Sequence, residues 1–481
     1  MRFLVVATLS ISVILAQTAG RIAGTVTDSS GAAVPAADVR LTLPGGSKPV
    51  LSTQTTTDGL FHLPGAPAGT YDLTVEAPGF NPYVVRGVKV DPARETVIST
   101  ITLTVAAITQ SVEVTAGAPA VETTNSEIST TVTNAQVRRL PLLDRNPLDL
   151  IRTQAGVVSN GRADTVINGQ RSSYSNMTLD GVNIQDNFIR DGGLDYSPNM
   201  PLLDQVGEFT IATSNTNSAM GGGASQVVLV TPSGTNDLHG SLYWYNRNNF
   251  FSANEWFNNR DGVEKPFLNQ NQGGFSLRGP IKKDKLLYYT NYEAYRQRQQ
   301  TTVNRAILTA DARQGIYTYR DNQGVVRKVN VLSAAGVPMD PYIRQILALV
   351  PGPEFINNTD EGDSTPALLR NTAGYRFNQR NNWTRDNVLA KLDYHPSVLH
   401  TLTGTYMWNR DNSDRPDADN SFSKIPKVVN TNHSNLLSVA WRWNPRPTLT
   451  NELRGGFNLA PGDFVTSEKF GNFIIDGYVF S

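Results

Sequence analysis

Residues 208–257 read EFTIATSNTNSAMGGGASQVVLVTPSGTNDLHGSLYWYNRNNFFSANEWF, and this stretch decides the fold. Gln226-Val227-Val228-Leu229-Val230-Thr231 is an apolar run closed by Pro232-Ser233-Gly234. Such a run between turn signals marks a strand buried on both faces. Directly after it the pattern changes. Leu238, Gly240, Leu242 and Trp244 share one face, while His239, Ser241, Tyr243 and Tyr245 share the other. Strict alternation is the period of a strand with two unlike surroundings. Near residue 235, then, the chain passes from a compact buried unit to a sheet with an apolar and a polar side.

The same alternation recurs downstream. Phe275, Leu277, Gly279 and Ile281 alternate with Ser276 and Arg278, and Val388, Ala390, Leu392 and Tyr394 with Asn387, Lys391 and Asp393. Leu402, Gly404, Tyr406 and Trp408 alternate with Thr401, Thr403 and Thr405, and Leu437, Val439, Trp441 and Trp443 with Ser438, Ala440 and Arg442. Segments of about ten residues with this dyad and with Trp and Tyr near their ends are the pattern of transmembrane β-barrels. A soluble sandwich has the same period, so alternation alone leaves both open. Lys282-Lys283-Asp284-Lys285 and Asn444-Pro445-Arg446-Pro447 read as tight turns on the periplasmic side. The stretch 298–385 is too long for a turn and is expected to reach outward as a loop region. Within it Asp340-Pro341 caps a short helix with Ile343, Ile346, Leu347 and Val350 on one face.

Composition agrees with β-structure and excludes several functions. Lys+Arg and Asp+Glu number 42 each in 481 residues, a balance that argues against nucleic-acid binding. Only 17% of residues are charged. Thr, Asn, Ser, Gln and Gly fill the deficit, beside 18 Phe, 17 Tyr and 6 Trp. With no cysteine there are no disulfides, thiolate metal sites or Cys nucleophiles. Met1-Arg2 followed by the apolar run 3–16 fits a signal peptide over residues 1–20, the alternative being a buried N-terminal strand. The product is expected to be exported.

Residues 21–105 show short strands separated by turn clusters, the pattern of a β-sandwich. The strings GRIAGTVTDSSGAAVPAADVRLTL (20–43) and TTDGLFHLPGAPAGTYDLTVEAPGF (56–80) resemble the carboxypeptidase regulatory-like domain, a transthyretin-like sandwich grouped with carbohydrate-binding-like folds. Its motifs are Asp28…Gly31, Thr57-Asp58-Gly59-x-Phe61, Gly69-x-Tyr71 and Pro78-Gly79-Phe80. The resemblance implies fold and modularity, not peptidase activity. A zinc hydrolase needs closely spaced ligands, and His62, His239, His395, His400 and His433 are scattered. Gly221, Gly222 and Gly223 lack the Lys-Ser/Thr of a phosphate-binding loop and read as a flexible turn. The chain is expected to be no enzyme, with no metal or cofactor.

Residues 106–133 form a small, Thr-rich linker holding Ser111, Val112, Glu113, Val114, Thr115 and Ala116, an alternating β-branched segment. It could add as a strand to a partner's sheet edge. It could equally be the last strand of the sandwich, or plain linker. Between 134 and 235 helical pieces are expected at 135–139, capped by Asn134, and at 148–154, opened by Asn146-Pro147, with Leu148, Ile151 and Ala155 on one face. Strands are expected at 165–168, 177–179, 208–212 and 226–231. This is a compact α/β unit.

LPLLDRNPLDLIRTQAGV (140–157), INGQRSSYSNMTLDGVNI (167–184) and the opening quotation resemble, in order, the plug domain and first barrel strand of TonB-dependent outer-membrane receptors. Within that family the Oar-like branch carries a regulatory-like sandwich ahead of the plug. The resemblance implies that 134–235 is the plug. It implies that Asp180-Gly181-Val182 is the plug's D-G-V turn and that Gly221, Gly222 and Gly223 precede its last strand. It implies that 111–116 stands where such receptors keep the box that binds TonB.

The expected fold is therefore mainly β: an N-terminal β-sandwich, a small α/β plug and an incomplete transmembrane antiparallel β-barrel over 236–481. Plugged transporters use about 22 strands, and roughly eight are expected here. An open arc leaves edge groups unpaired in lipid, so the sequence reads as part of a longer receptor or a truncated product. The expected function is uptake of an extracellular solute across the outer membrane, energised by TonB, with outer-membrane lipid around the barrel. The alternative is a secreted or surface β-module protein for adhesion or carbohydrate binding.

Overall fold

The computed structural model describes residues 18–106, 112–115, 127–140, 142, 145–159, 165–171, 174–185, 197–216, 223, 225–363, 367–446, 449–466, 473–475 and 478–480. Most of the expected signal peptide, Ser111, Ala116, Gly221 and Gly222 lie outside these residues.

Two sheets build the sandwich. Its strands are β1 (Gly20–Asp28), β2 (Asp38–Thr42), β3 (Pro49–Gln54), β4 (Leu60–Ala66), β5 (Gly69–Glu76), β6 (Tyr83–Val90), β7 (Glu95–Val97), β8 (Ile101–Leu103) and β9 (Val112–Thr115). One sheet runs β4-β1-β7 with β8 also on β1; the other runs β3-β2-β5-β6-β9. Alternate residues such as Ile22, Val39, Leu41, Phe61, Leu73 and Val88 fill the space between the sheets. β1 already starts at Gly20, which pairs with Ala66.

The second unit has one five-stranded sheet, in the order β10 (Ile128–Val132), β15 (Glu208–Ser214), β16 (Ser225–Val230), β13 (Ser175–Leu179) and β14 (Val182–Asn183). The small ladder β11 (Val157–Val158) with β12 (Val166–Ile167) lies beside it. β16 is buried along its whole length, which is why its sequence is apolar without alternation. Two local expectations need correction. The helix Asn134–Arg139 is capped by Thr133, not Asn134, because a capping box with Gln136 satisfies both the Thr133 and Gln136 amides. The piece Pro147–Thr153 is a 3-10 helix opened by Asn146. Its tighter winding leaves Ala155 exposed beyond its end, while Leu148 and Ile151 are buried.

The third sheet is antiparallel. In order it holds β17 (His239–Asn248), β18 (Leu268–Lys282), β19 (Leu286–Leu308), β23 (Trp383–Ser397), β24 (His400–Asp414), β25 (Val428–Arg446) and β26 (Leu449–Leu459). β22 (Thr372–Arg380) extends it on β19, and β27 (Gly462–Thr466) on β25. The sheet is open between β17 and β26 among the described residues. Its outward side is apolar: Leu242 and Trp244 are 87% and 69% exposed, and Phe275, Leu392, Tyr406, Val439 and Trp441 are exposed on the same face. The opposite face carries Gln272, Asn291, Glu293, Asn387, Lys391, Thr405 and Ser438, all buried. The alternation read from sequence thus separates a lipid-facing belt from a polar lumen.

The arms of 298–385 are not loop. β19 runs on to Leu308 and pairs with β22 from Gln300↔Arg380 to Leu308↔Thr372. Among the described residues of this stretch, those of 309–363 and 367–371 leave the ladder, with the hairpin β20 (Ile316–Arg320) and β21 (Val326–Asn330) and the helix Pro341–Leu349 capped by Asp340. Polar strand residues such as Thr301, Thr302 and Asn304 hid this extension, because outside the membrane no alternation is required.

Candidate functional site

The α/β unit sits in the lumen, and its most tightly held feature is the turn between β13 and β14. Leu179 pairs with Val182, leaving Asp180-Gly181 as a two-residue loop. Both residues have positive φ, 45° and 79°, so this is the primed turn that an Asp-Gly pair favours. The expected Asp180, Gly181 and Val182 motif is therefore present as a hairpin tip.

Four adjacent strands of the sheet grip that tip. The Asp180 carboxylate accepts the Thr231 amide at 3.0 Å, the Thr231 hydroxyl at 2.5 Å and, from β24, the Thr405 hydroxyl at 2.7 Å. Lys391 of β23 brings its ammonium to 4.0 Å and donates to the Thr231 carbonyl at 3.0 Å. Ser438 of β25 donates to the Asp180 carbonyl at 2.8 Å, and Arg454 of β26 donates to the same oxygen. Burial pushes the Asp180 carboxyl up, but Lys391 and the three donors outweigh it and hold the group below the usual carboxylate range. Arg454 continues to Glu452 at 2.7 Å, which also pairs with Arg442 at 2.7 Å. A Cβ on Gly181 would stand 2.6 Å from Arg454 Cδ, and one on Gly456 would stand 2.8 Å from Val182 Cγ2. Glycine on both sides lets the turn reach the wall.

Three further contacts fix the unit. The Arg145 guanidinium lies 4.0 Å from the Tyr245 ring centroid, a cation–π contact with β17. Asn199 exchanges hydrogen bonds of 2.8 Å with Asn458, and its carbonyl accepts Asn409 at 2.8 Å. Tyr289, Leu389, Met407 and Leu436 point inward and join the core built on Phe209, Ile211, Val227 and Leu229. The sequence reading placed Lys391, Thr405 and Ser438 on the polar face but did not pair them with Asp180. It missed Leu389, Met407 and Leu436 altogether. The available signal was an apolar residue on an otherwise polar face.

On the side away from the sandwich, a cavity of about 670 Å³ opens among lumen residues of β19, β23 and β24, including Tyr295, Gln297, Gln299 and Trp383. On the other side the sandwich meets both neighbours. Lys89 reaches Glu208 at 3.3 Å, Thr210 donates to the Pro92 carbonyl, and Ser47 and Thr450 join it to strand turns through Asp284 and the Pro64 carbonyl.

Of the expected coupling segment, Val112, Glu113, Val114 and Thr115 form β9, the edge strand of the sandwich, in parallel register with β6 from Tyr83↔Val112 to Arg86↔Thr115. Gly223 has φ 122° next to the start of β16.

Comparison with known proteins follows this layout. Residues 230–476 match the model of an outer membrane beta barrel domain, and residues 21–104 that of a carboxypeptidase regulatory-like domain. The chain is 26% identical over 315 residues to the TonB-dependent transporter Oar of Myxococcus xanthus, covering 60% of this chain and 28% of that protein. Among solved structures it is similar to the outer membrane transporter YddB of Escherichia coli, at TM-score 0.40 and 13% identity, covering 65% of this chain and 36% of that one. It is also similar to the ferric enterobactin receptor PfeA of Pseudomonas aeruginosa, at TM-score 0.36 and 13% identity, covering 69% and 41%. The chain thus spans less than half the length of each of these relatives. With its barrel-domain match over half the sequence and a carboxypeptidase regulatory-like domain in front, and with its similarity to a TonB-dependent transporter, the chain belongs to the outer membrane beta barrel family.

Proposed function

We propose that the chain forms the N-terminal part of a plug-gated transporter that takes up an extracellular solute with energy delivered by TonB. In this reading the apolar N-terminal stretch directs export, and the sandwich of 21–105 starts one residue earlier than the sequence suggested, at Gly20 of β1. The sequence-based linker 106–133 carries the TonB-binding segment 111–116, but its Val112–Thr115 lie on the sandwich sheet and its Ile128–Val132 on the sheet of the plug, so the plug starts at β10 rather than at 134, and 236–481 belong to the barrel. The observation that carries it is the grip of four lumen strands on the Asp180 turn, since a unit held by side chains alone inside a sheet can be displaced without breaking the sheet. The cavity lined by Tyr295 and Trp383 is the entry side for the solute. No reaction chemistry, metal or cofactor enters this function, and the named relatives are transporters and receptors.

The test uses Val112→Pro and Val114→Pro in a complete receptor. Proline lacks the N–H and fixes φ, so strand addition by main-chain hydrogen bonds is lost. Surface binding of solute is expected to persist while energy-dependent uptake stops, and alanine at the same sites should be milder. Normal uptake in both proline variants would refute the assignment of the segment.

A further inference from the structure

We propose that Arg410 and His433, with Arg296 and Arg298 above them, form a site on the outward face of the third sheet for the phosphate of a glycolipid headgroup, in the leaflet farther from the sandwich. The strand register sets out this face as rows. Tyr292, Val388 and Trp408 follow one another across β19, β23 and β24 in the last apolar row. The next row holds Ala294, Asp386, Arg410 and His433, and the one beyond it Thr384, Asn412 and Thr431 beside Arg296. The change from apolar to charged thus falls at one level on neighbouring strands. The sandwich meets the opposite strand ends, at Asp284 and Thr450, so this level is the far rim of the belt.

Height places that rim at a membrane surface. Arg410 stands ten positions along β24 from His400, which pairs with Trp443 and accepts the Trp441 indole N–H at 3.1 Å. At about 3.4 Å per residue and a tilt of about 40°, ten positions rise about 26 Å, close to the ~25 Å apolar band of such barrels. Tyr292 marks the same boundary. Its ring lies 6.2 Å from that of Phe275, while its hydroxyl reaches Asp386 at 2.9 Å. Asp386 is engaged by Tyr292 and by Arg296 at 2.6 Å. Arg298 and Arg410 are exposed, and neither has a carboxylate within ion-pair distance among the described residues. The other acid on this face, Asp463, lies one row farther on, opposite Thr431. Arg410 and His433 are direct register partners, with Cβ atoms about 4.5–5.5 Å apart, so one phosphate can accept a hydrogen bond from each. Thr384, Asn412 and Thr431 beside them offer the neutral donors and acceptors that sugar hydroxyls need. A free phosphate meets only these polar rows. A lipid also meets the exposed Tyr406 and Val439 beneath, where its acyl chains lie, and that continuity selects a glycolipid as occupant.

The complete receptor in maltoside micelles is titrated with diphosphoryl lipid A, and bound lipid is counted by native mass spectrometry. The same titration is run with fully dephosphorylated lipid A and with phosphatidylglycerol, and inorganic phosphate is added as a competitor. Removing the phosphates is expected to weaken binding to the wild type by roughly tenfold or more, the scale of a lost charge-assisted hydrogen bond. Arg410→Ser/His433→Ser should bring binding of the diphosphoryl form down to that of the dephosphorylated one, with heat-modifiable migration unchanged. Equal binding of the two lipid A forms by the wild type, a comparison that needs no variant to fold, overturns the proposal. Undiminished binding by the folded double variant overturns it as well. Phosphatidylglycerol bound as tightly as diphosphoryl lipid A overturns the glycolipid assignment, and displacement of the lipid by equimolar inorganic phosphate overturns the lipid one.

Discussion

Removing the charge from Asp180 should loosen the plug, and the structure gives the size of the effect. The carboxylate accepts three hydrogen bonds, at 3.0, 2.5 and 2.7 Å, and faces the buried Lys391 ammonium at 4.0 Å. Asp180→Asn keeps a residue that tolerates the positive φ and retains one acceptor, but strands the ammonium. Removing one partner of a buried charged pair costs about 3–5 kcal/mol. Lys391 keeps its bond to the Thr231 carbonyl, so the lower end applies, about 3 kcal/mol. Lys391→Met should cost a similar amount by leaving the carboxylate without its cation. The double variant has no lone charge and should lose only about 1–2 kcal/mol, far less than the sum. The assay is amide hydrogen exchange in the complete receptor, read at the hairpin of β13 and β14. At about 1.4 kcal/mol per tenfold, each single variant should lower protection by roughly 150-fold. Protection within fivefold of wild type in the single variants, or additive losses in the double, would refute the view that this pair clasps the plug.

Other consequences can be checked separately. Burial, only partly offset by Lys89, raises the Glu208 carboxyl to about 7 from 4.5. The docked state thus binds a proton more tightly than the undocked one, so sandwich–plug docking should be strongest below about pH 4.5 and weaken as pH rises to about 7; Glu208→Gln should flatten the profile, as read by cross-linking Lys89 to the plug's neighbouring strand against pH in the Lys89 wild-type background. Gly181→Ala adds a Cβ 2.6 Å from Arg454 at a φ of 79°. It should destabilise the turn by about 2–4 kcal/mol, as a sum of left-handed strain and overpacking, measurable as faster limited proteolysis of the plug. Leu392→Arg puts a charge on the lipid face, at a cost of about 2–4 kcal/mol near mid-membrane. Less folded, heat-modifiable receptor should appear in outer-membrane fractions, while Asn387→Arg in the lumen should be tolerated better on the lipid side and disturb the plug instead.

What the sequence determined by itself is the set of properties that travel along one strand. Which of two faces Leu242, Phe275, Leu392 and Trp441 occupy follows from a period of two, and the apolar run 227–230 follows from burial on both sides. The Asp180-Gly181 turn was legible because a primed hairpin turn needs positive φ at consecutive residues, which few pairs supply. Only the tertiary structure decided the pairings across distance. The local pattern puts Lys391 on the polar face of a strand but does not name Asp180 as the group it meets. Leu389, Met407 and Leu436 are lumen residues made apolar by a plug core more than 150 residues away in sequence. The 111–116 segment shows the limit most clearly. Its alternation specifies a strand, but a strand's hydrogen-bonding groups are the same for every residue type, so its sequence could not name β6 as the edge on which it lies.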